Sequence, residues 1–286
     1  MEASDRPHGI RALHSSISRA VILAAGNGTR LAGFGRGPKP LLQVAGRPLL
    51  EHVLRTAAYA GIREAFVVTG FGASRLRAHP FDVPSSLSVQ WVENPHYERA
   101  NGVSVLCAEP HVRGSFLLLM ADHLVAPAIV RRLLKRPLVD TGIVAAVDRK
   151  ISTVFDLPDA TKVLERNGEL MQIGKSLASY NAIDTGMFLC SPQVFSAIRE
   201  SVSAGRDELS HGIAKLAQSG SARTWSIGSS RWIDVDTVDA WKRASEMVDD
   251  GLLVRAREVV PVRSKTTRVV ASRSPRSRGA TRRVIG

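Results

Sequence analysis

No run of about 18 uninterrupted apolar residues occurs in this 286-residue sequence, which excludes a transmembrane helix of ordinary length. The first residues, Met1 to His8, are polar and lack the basic start and apolar middle of a secretory signal. Cysteine is scarce. Cys107 and Cys190 are the only two, each within an apolar segment, and the expectation is two free buried thiols in a reducing cytoplasm. Acids are nearly missing from one end: residues 251–286 carry ten Lys/Arg against Glu258 alone, a net +9 out of the chain's +13. That leaves an ordinary +4 for the 250 residues before it. The same tail has no aromatic residue, so base stacking and specific RNA recognition find no support there. Such a segment repels itself and buries little, so disorder is expected, with non-specific contact to nucleic acid or anionic lipid as its available chemistry.

What is present is an ordinary core. Apolar residues make up 44% of the chain and are interleaved with charge. Residues 1–18 have no clear period and read as a flexible extension; residues 19–250 read as the folded domain. Arg19–Ala25 is a short apolar strand, followed by a loop rich in glycine and proline from Gly26 to Pro40. Leu49, Leu50, Val53, Leu54, Ala57 and Ala58 recur at helical spacing, and Gly61 closes that helix. Strands follow at Glu64–Thr69, Leu87–Val92 and Ser115–Ala121, the last apolar throughout, as a strand buried on both faces should be. A helix at Pro127–Lys135 and a strand at Gly142–Val147 continue the alternation. The expected fold is therefore α/β, with a mostly parallel central sheet flanked by helices. Asn167-Gly168 then marks a hairpin, since both residues tolerate positive φ, and it opens a small β-rich portion. Further strands are expected at Ile183–Cys190, Ala222–Ile227 and Trp232–Val235. Helices are expected at Gln193–Val202, at Glu208–Ser219 and from Val238 onward.

The most informative stretch is Val21-Ile-Leu-Ala-Ala-Gly-Asn-Gly-Thr-Arg30, followed by Pro38-Lys39-Pro40-Leu41. A strand ending in small residues places glycines at the carboxyl edge of a sheet, where α/β proteins bind ligands and backbone N–H groups can approach phosphate oxygens. The loop is not a Walker A motif, because the Gly-Lys-[Ser/Thr] ending is missing. Nor is it a dinucleotide fingerprint, because Leu31 stands where the third glycine belongs. Arg30 and Lys39 add two cations that can neutralise a triphosphate.

These motifs resemble the signature of nucleotidyltransferases that make activated sugars and alcohols: Gly-x-Gly-x-Arg, a variable spacer, then Pro-Lys-x-Leu. The resemblance covers about residues 19–248 and implies a Rossmann-like fold of the nucleotide-diphospho-sugar transferase type. It implies that Leu23, Ala24, Ala25, Gly26, Gly28 and Thr29 hold the nucleotide. By the same resemblance Arg30 contacts the departing pyrophosphate and Lys39 the reacting phosphates. Asn101 and Gly102, within Asn101-Gly-Val-Ser104, look like the segment that supports the base; they also suit a helix start. Asp122, at the end of a buried strand, and Asp236, in Trp232-Ile-Asp-Val-Asp-Thr237, become the expected Mg²⁺ ligands. Asp234 shares a face with Asp236 by strand alternation. Asp236 also suits a cap for the helix after it, and His123 a supporting place beside Asp122.

Within that family the likeness is strongest to inositol-1-phosphate cytidylyltransferases, through Asp159-Ala-Thr-Lys162, Gly174-Lys175 and Asp184-Thr-Gly186. The implied partners are an NTP, expected to be CTP, and a small phosphorylated alcohol, expected to be inositol 1-phosphate. Lys175 and Lys162 are the implied ligands of the acceptor's phosphate, and Asp184 of its hydroxyls. Two other readings stay open: a sugar-1-phosphate or phosphocholine nucleotidyltransferase, and an inactive nucleotide- or nucleic-acid-binding protein whose tail supplies its contacts.

Overall fold

The structure, a computed structural model, describes residues 17–31, 34, 37–138 and 142–253. The N-terminal extension and the basic tail expected from the sequence lie outside the described residues, apart from residues 17–18 and 251–253. Leu252 is buried in one cluster with Ala244 and Met247.

Strand β1 (Arg19–Ala24) leads through the glycine-rich loop to the short strands β2 (Gln43–Val44) and β3 (Arg47–Pro48), then to α1 (Leu49–Ala60). Gly61 ends α1 at φ 113°, where a residue with a Cβ would be strained. Next come β4 (Glu64–Thr69), α2 (Ala73–Ala78), β5 (Ser88–Glu93), α3 (Asn101–Ala108), β6 (Phe116–Met120) and a three-residue strand, β7 (His123–Val125). Helix α4 (Pro127–Leu133) and β8 (Ile143–Asp148) precede a hairpin of β9 (Lys162–Arg166) and β10 (Glu169–Gly174). Asn167 and Gly168 turn that hairpin at φ 52° and 79°, as their sequence demands. The chain continues through β11 (Ala182–Cys190), α5 (Gln193–Ser203), α6 (Leu209–Gln218), β12 (Ala222–Ser226), β13 (Trp232–Asp234) and α7 (Val238–Asp249).

Nine strands form one sheet in the order β5-β4-β1-β6-β11-β8-β12-β10-β9. Strands β5, β4, β1 and β6 are mutually parallel, as are β8 and β12. Strand β11 runs antiparallel between β6 and β8. Its apolar run reads the same in either direction, so composition could not give its sense. Strand β9 also pairs with the start of β11, which curls that half of the sheet back on itself.

Side-chain alternation explains the two helix layers. Val21, Leu23, Phe116 and Leu118 face one way and pack with residues of α3, α5 and α6, such as Val105, Ile198 and Ile213. Ala20, Ile22, Leu117 and Leu119 face the other way and pack with Leu50 and Leu54 of α1 and Ile129 and Val130 of α4. Each fully buried leucine or isoleucine of these layers contributes roughly 2 kcal/mol of burial. The central strands are fixed on both faces, and their carboxyl ends are a rigid support for the loops beyond them. No described helix is long and apolar enough to cross a membrane.

Candidate functional site

The loop after β1 turns at Gly28, whose φ of 61° lets Leu31 N–H reach its carbonyl at 3.0 Å. A Cβ at Gly28 would lie 2.7 Å from Lys39 Cβ, so the glycine also lets the lysine pass close to the loop. Leu23, Ala24, Gly26, Gly28, Thr29, Arg30 and Lys39 line one cavity of about 270 Å³, together with Asp122 and Asp236. Ala25 does not line it; its carbonyl instead accepts from Phe71 N–H at 3.0 Å, tying the loop to the segment after β4.

The acidic side of the site is assembled by β7 and β13. These short strands pair antiparallel, with Asp234 opposite His123, and Val235 N–H donates to the Asp122 carbonyl at 3.1 Å. Asp122, Asp234 and Asp236 therefore converge although more than a hundred residues separate the first from the others. Helix α7 is capped by Thr237, whose Oγ1 accepts from Ala240 N–H at 3.1 Å, which leaves the Asp236 carboxylate free to face the loop cations.

Lys39 is the hub. Its ammonium donates to Asp122 at 2.6 Å and to Asp236, and stands 3.9 Å from Asp234. Burial alone would push its proton off, yet the three carboxylates reverse this and hold the lysine above its ordinary range. Partial burial likewise works against the Asp122 carboxylate, but Lys39 and His123 hold it well below the usual range. Asp234 is raised to about 7, by partial burial first and by Asp122 and Asp236 after it. His123 Nδ1 lies 2.8 Å from Asp122 and its Nε2 3.8 Å from Asp234. Burial would lower its pKa; Asp234, Asp122 and Asp184 instead raise it to about 9. Trp232 stacks on His123 at 5.7 Å and donates its indole N–H to buried Asp148 at 2.9 Å, which fixes the imidazole plane.

A second cavity of about 350 Å³ adjoins this group and shares Asp122 and Asp236 with the first. Lys175 and Asp184 line it, as does Asn101. Asp184 is raised to about 6 by burial, although its Oδ1 accepts from Gly186 N–H. Lys162 is not part of this lining: it is buried, and its ammonium donates to the Pro158 carbonyl at 2.9 Å. Strand alternation explains this, because Lys162 opens β9 inside the curled half of the sheet. Neither Asn101 nor Gly102 lines the cavity of the glycine-rich loop. Asn101 Oδ1 accepts from Leu209 N–H, and Gly102 donates to the Asp207 carbonyl, so both dock α3 against the start of α6. Ser104 accepts from Asn94 in a buried pair at 3.0 Å.

Asp159, assigned no role from the sequence, joins the site from the loop before β9. Its carboxylate accepts from Arg30 at 2.5 Å and from Lys175 at 2.9 Å. A loop acid has no periodic signal, and only its place in the Asp-Ala-Thr-Lys string marked it.

A divalent cation fits this donor set. Asp122, His123 and Asp234 offer ligand atoms within 4.8 Å of one another, and Asp234 Oδ1 is buried with no hydrogen-bond partner among the described residues; Asp236, the second ligand expected from the sequence, is outside this group and pairs with Lys39 and Arg30. Hard carboxylate oxygens are the donors that Mg²⁺-class ions take.

Over 233 residues the chain is 38% identical to the bifunctional IPC transferase and DIPP synthase of Rubrobacter xylanophilus, covering 80% of this chain and 51% of that one. The structure of the inositol-1-phosphate CTP transferase from T. maritima superposes with a TM-score of 0.71 at 24% identity, over 83% of this chain and 98% of the other. A UDP-glucose pyrophosphorylase from Acinetobacter baumanii gives 0.67 at 21%, over 80% and 92%. At these identities the two structures show a shared fold. The chain spans about half the length of the curated relatives it matches. Residues 20–219 match the MobA-like NTP transferase domain. That match takes in well over half of the chain, including the glycine-rich loop and Asp122 but ending before Asp234 and Asp236, and the protein belongs to the family of MobA-like NTP transferase domains.

Proposed function

We propose that this chain transfers a cytidylyl group from CTP to the phosphate of inositol 1-phosphate, giving a CDP-alcohol and pyrophosphate. The observation that carries this reading is the meeting of the Arg30–Lys39 loop with Asp122, Asp234 and Asp236 where two cavities adjoin. A triphosphate in one and a phosphorylated acceptor in the other would face each other across that junction. The choice of base and acceptor draws on the names of the relatives, an IPC transferase among the curated proteins and an inositol-1-phosphate CTP transferase among the structures.

In this reading an oxygen of the acceptor's phosphate attacks the α-phosphorus. The new P–O bond forms as the bond to the β-phosphate bridging oxygen breaks, and its electron pair leaves with pyrophosphate. The attacking phosphate is already ionised, so no general base is needed. The work is positioning and charge neutralisation. The loop N–H groups from Gly26 to Thr29 hold the nucleotide phosphates, and Arg30, where the two cavities adjoin, neutralises phosphate charge there. Lys39 orients the reacting phosphate, Lys175 binds the acceptor's phosphate, and Asp184 accepts from its hydroxyls. Asp122 and Asp234, with Asp236 beside them, are the residues that would hold Mg²⁺. Bound there, the ion supplies further neutralisation of phosphate charge.

Pyrophosphate release from purified protein, with each nucleoside triphosphate against inositol 1-phosphate, glucose 1-phosphate and phosphocholine, tests the proposal. Turnover is expected with CTP and inositol 1-phosphate in the presence of Mg²⁺. Turnover with glucose 1-phosphate alone would move the acceptor to a sugar, and none with any pair would end the catalytic reading.

A further inference from the structure

Asp159 engages two cations at once, one through each carboxylate oxygen. Its Oδ2 accepts from Arg30 Nη1 at 2.5 Å and its Oδ1 from Lys175 Nζ at 2.9 Å. The cations come from opposite walls: Arg30 lines the cavity of the phosphate loop, and Lys175, just past β10, lines the adjoining one. The carboxylate therefore spans the junction at which the two substrates were placed above. A phosphate monoester would meet the same two donors in the same manner. Its peripheral oxygens have similar spacing, it takes charge-assisted hydrogen bonds from Arg and Lys equally well, and it carries up to two charges where a carboxylate carries one.

Resting on the function proposed above, we propose that Asp159 is an internal anion seated where the acceptor's phosphate binds. It holds Arg30 and Lys175 at phosphate spacing and cedes them to an incoming dianion. Three observations separate this from a simple strut. The Asp159 side chain is 39% exposed, and its partners 45% and 50%, so exchange with a solvated anion costs little. The turn that carries it is held by its own backbone, with Asp159 N–H donating to the Asp156 carbonyl at 3.1 Å and Ala160 N–H to Leu157 at 3.3 Å. Arg30 also keeps Asp236 as a partner and has Asp156 at 3.9 Å, so it stays in place when Asp159 departs. Asp159 is then a positioning residue that sets specificity. Monoanions such as carboxylates gain nothing by displacing an equal charge, whereas a phosphate dianion does.

Calorimetry on the full chain, with inorganic phosphate as the probe and EDTA present, tests this at about pH 8, where phosphate is a dianion. Asp159→Asn and Asp159→Ala are each expected to bind phosphate about three- to tenfold more tightly than the wild type, the scale of two exposed ion pairs. Adding Lys175→Ala should abolish the gain. In turnover the acceptor KM should fall by a similar factor, a larger change than any in kcat. Unchanged or weaker phosphate binding in variants that melt like the wild type would overturn the proposal and make Asp159 a strut. The calorimetry needs no turnover. A chain inactive with every substrate pair would remove the proposed reaction, while the phosphate result would still decide the role of Asp159.

Discussion

Lys39 Nζ lies 2.6 Å from Asp122 Oδ2 across 83 residues of sequence, and this contact joins the phosphate loop to the acidic edge of the sheet. Removing the Asp122 charge deprives the lysine of one partner and the proposed ion of one ligand. Asp122→Asn is expected to lower turnover by about a thousandfold or more while the circular dichroism stays native, the scale at which preorganised charge acts in such sites. Near-normal Mg²⁺-dependent turnover in that variant would take Asp122 out of the chemistry.

Two glycines read from the sequence as nucleotide contacts should fail in different ways. At Gly28 an added Cβ meets the Lys39 side chain, on a backbone with φ 61°, so Gly28→Ala should displace the lysine and cut kcat about tenfold or more. At Gly102 the added Cβ would stand 2.4 Å from the Asp207 carbonyl oxygen, which is backbone and cannot swing aside. Gly102→Ala should therefore cost about 1–3 kcal/mol of stability and several degrees of Tm. Its nucleotide KM should stay close to that of the wild type. Paired melting curves and steady-state kinetics separate the two outcomes. A raised nucleotide KM at unchanged Tm in Gly102→Ala would return that residue to the binding site.

His52 lines neither cavity and is expected to contribute to acid stability. It is buried, and its Nε2–H donates to the Val44 carbonyl at 2.8 Å. Burial holds its pKa below the ordinary value, with Arg47 and Arg55 adding to the effect. In the unfolded chain the imidazole takes its proton near the ordinary value of about 6.5, while the folded chain resists it to lower pH. The unfolded state then binds more protons in that window, so stability falls as pH drops below about 6.5. In His52→Gln, whose amide can keep the bond to Val44, urea midpoints measured between about pH 7 and 5 should decline less steeply than in the wild type. Parallel declines would show that His52 does not carry this term.

The phosphate loop was legible because its features are local. Gly28 must adopt positive φ, a strand of small and apolar residues must end at a sheet edge, and Arg30 follows Gly28 by two residues and Lys39 by eleven. The hairpin at Asn167-Gly168 was legible for the same reason, as was the shared face of Asp234 and Asp236. Lys162 shows the limit of that reading: it has the right chemistry for a ligand, but the Pro158 carbonyl holds its ammonium outside the lining of the cavity.

What the amino-acid order determined, then, was the α/β class, the loop and the acids available to it, since propensity and alternation act over a few residues. The tertiary structure decided which acids meet which cations. That choice runs through the pairing of β7 with β13, the antiparallel insertion of β11 between β6 and β8, and the reach of Asp159 to Arg30, 129 positions away in the chain. Contacts at such separations are fixed by how whole layers bury their apolar faces, and no short stretch of sequence carries that information.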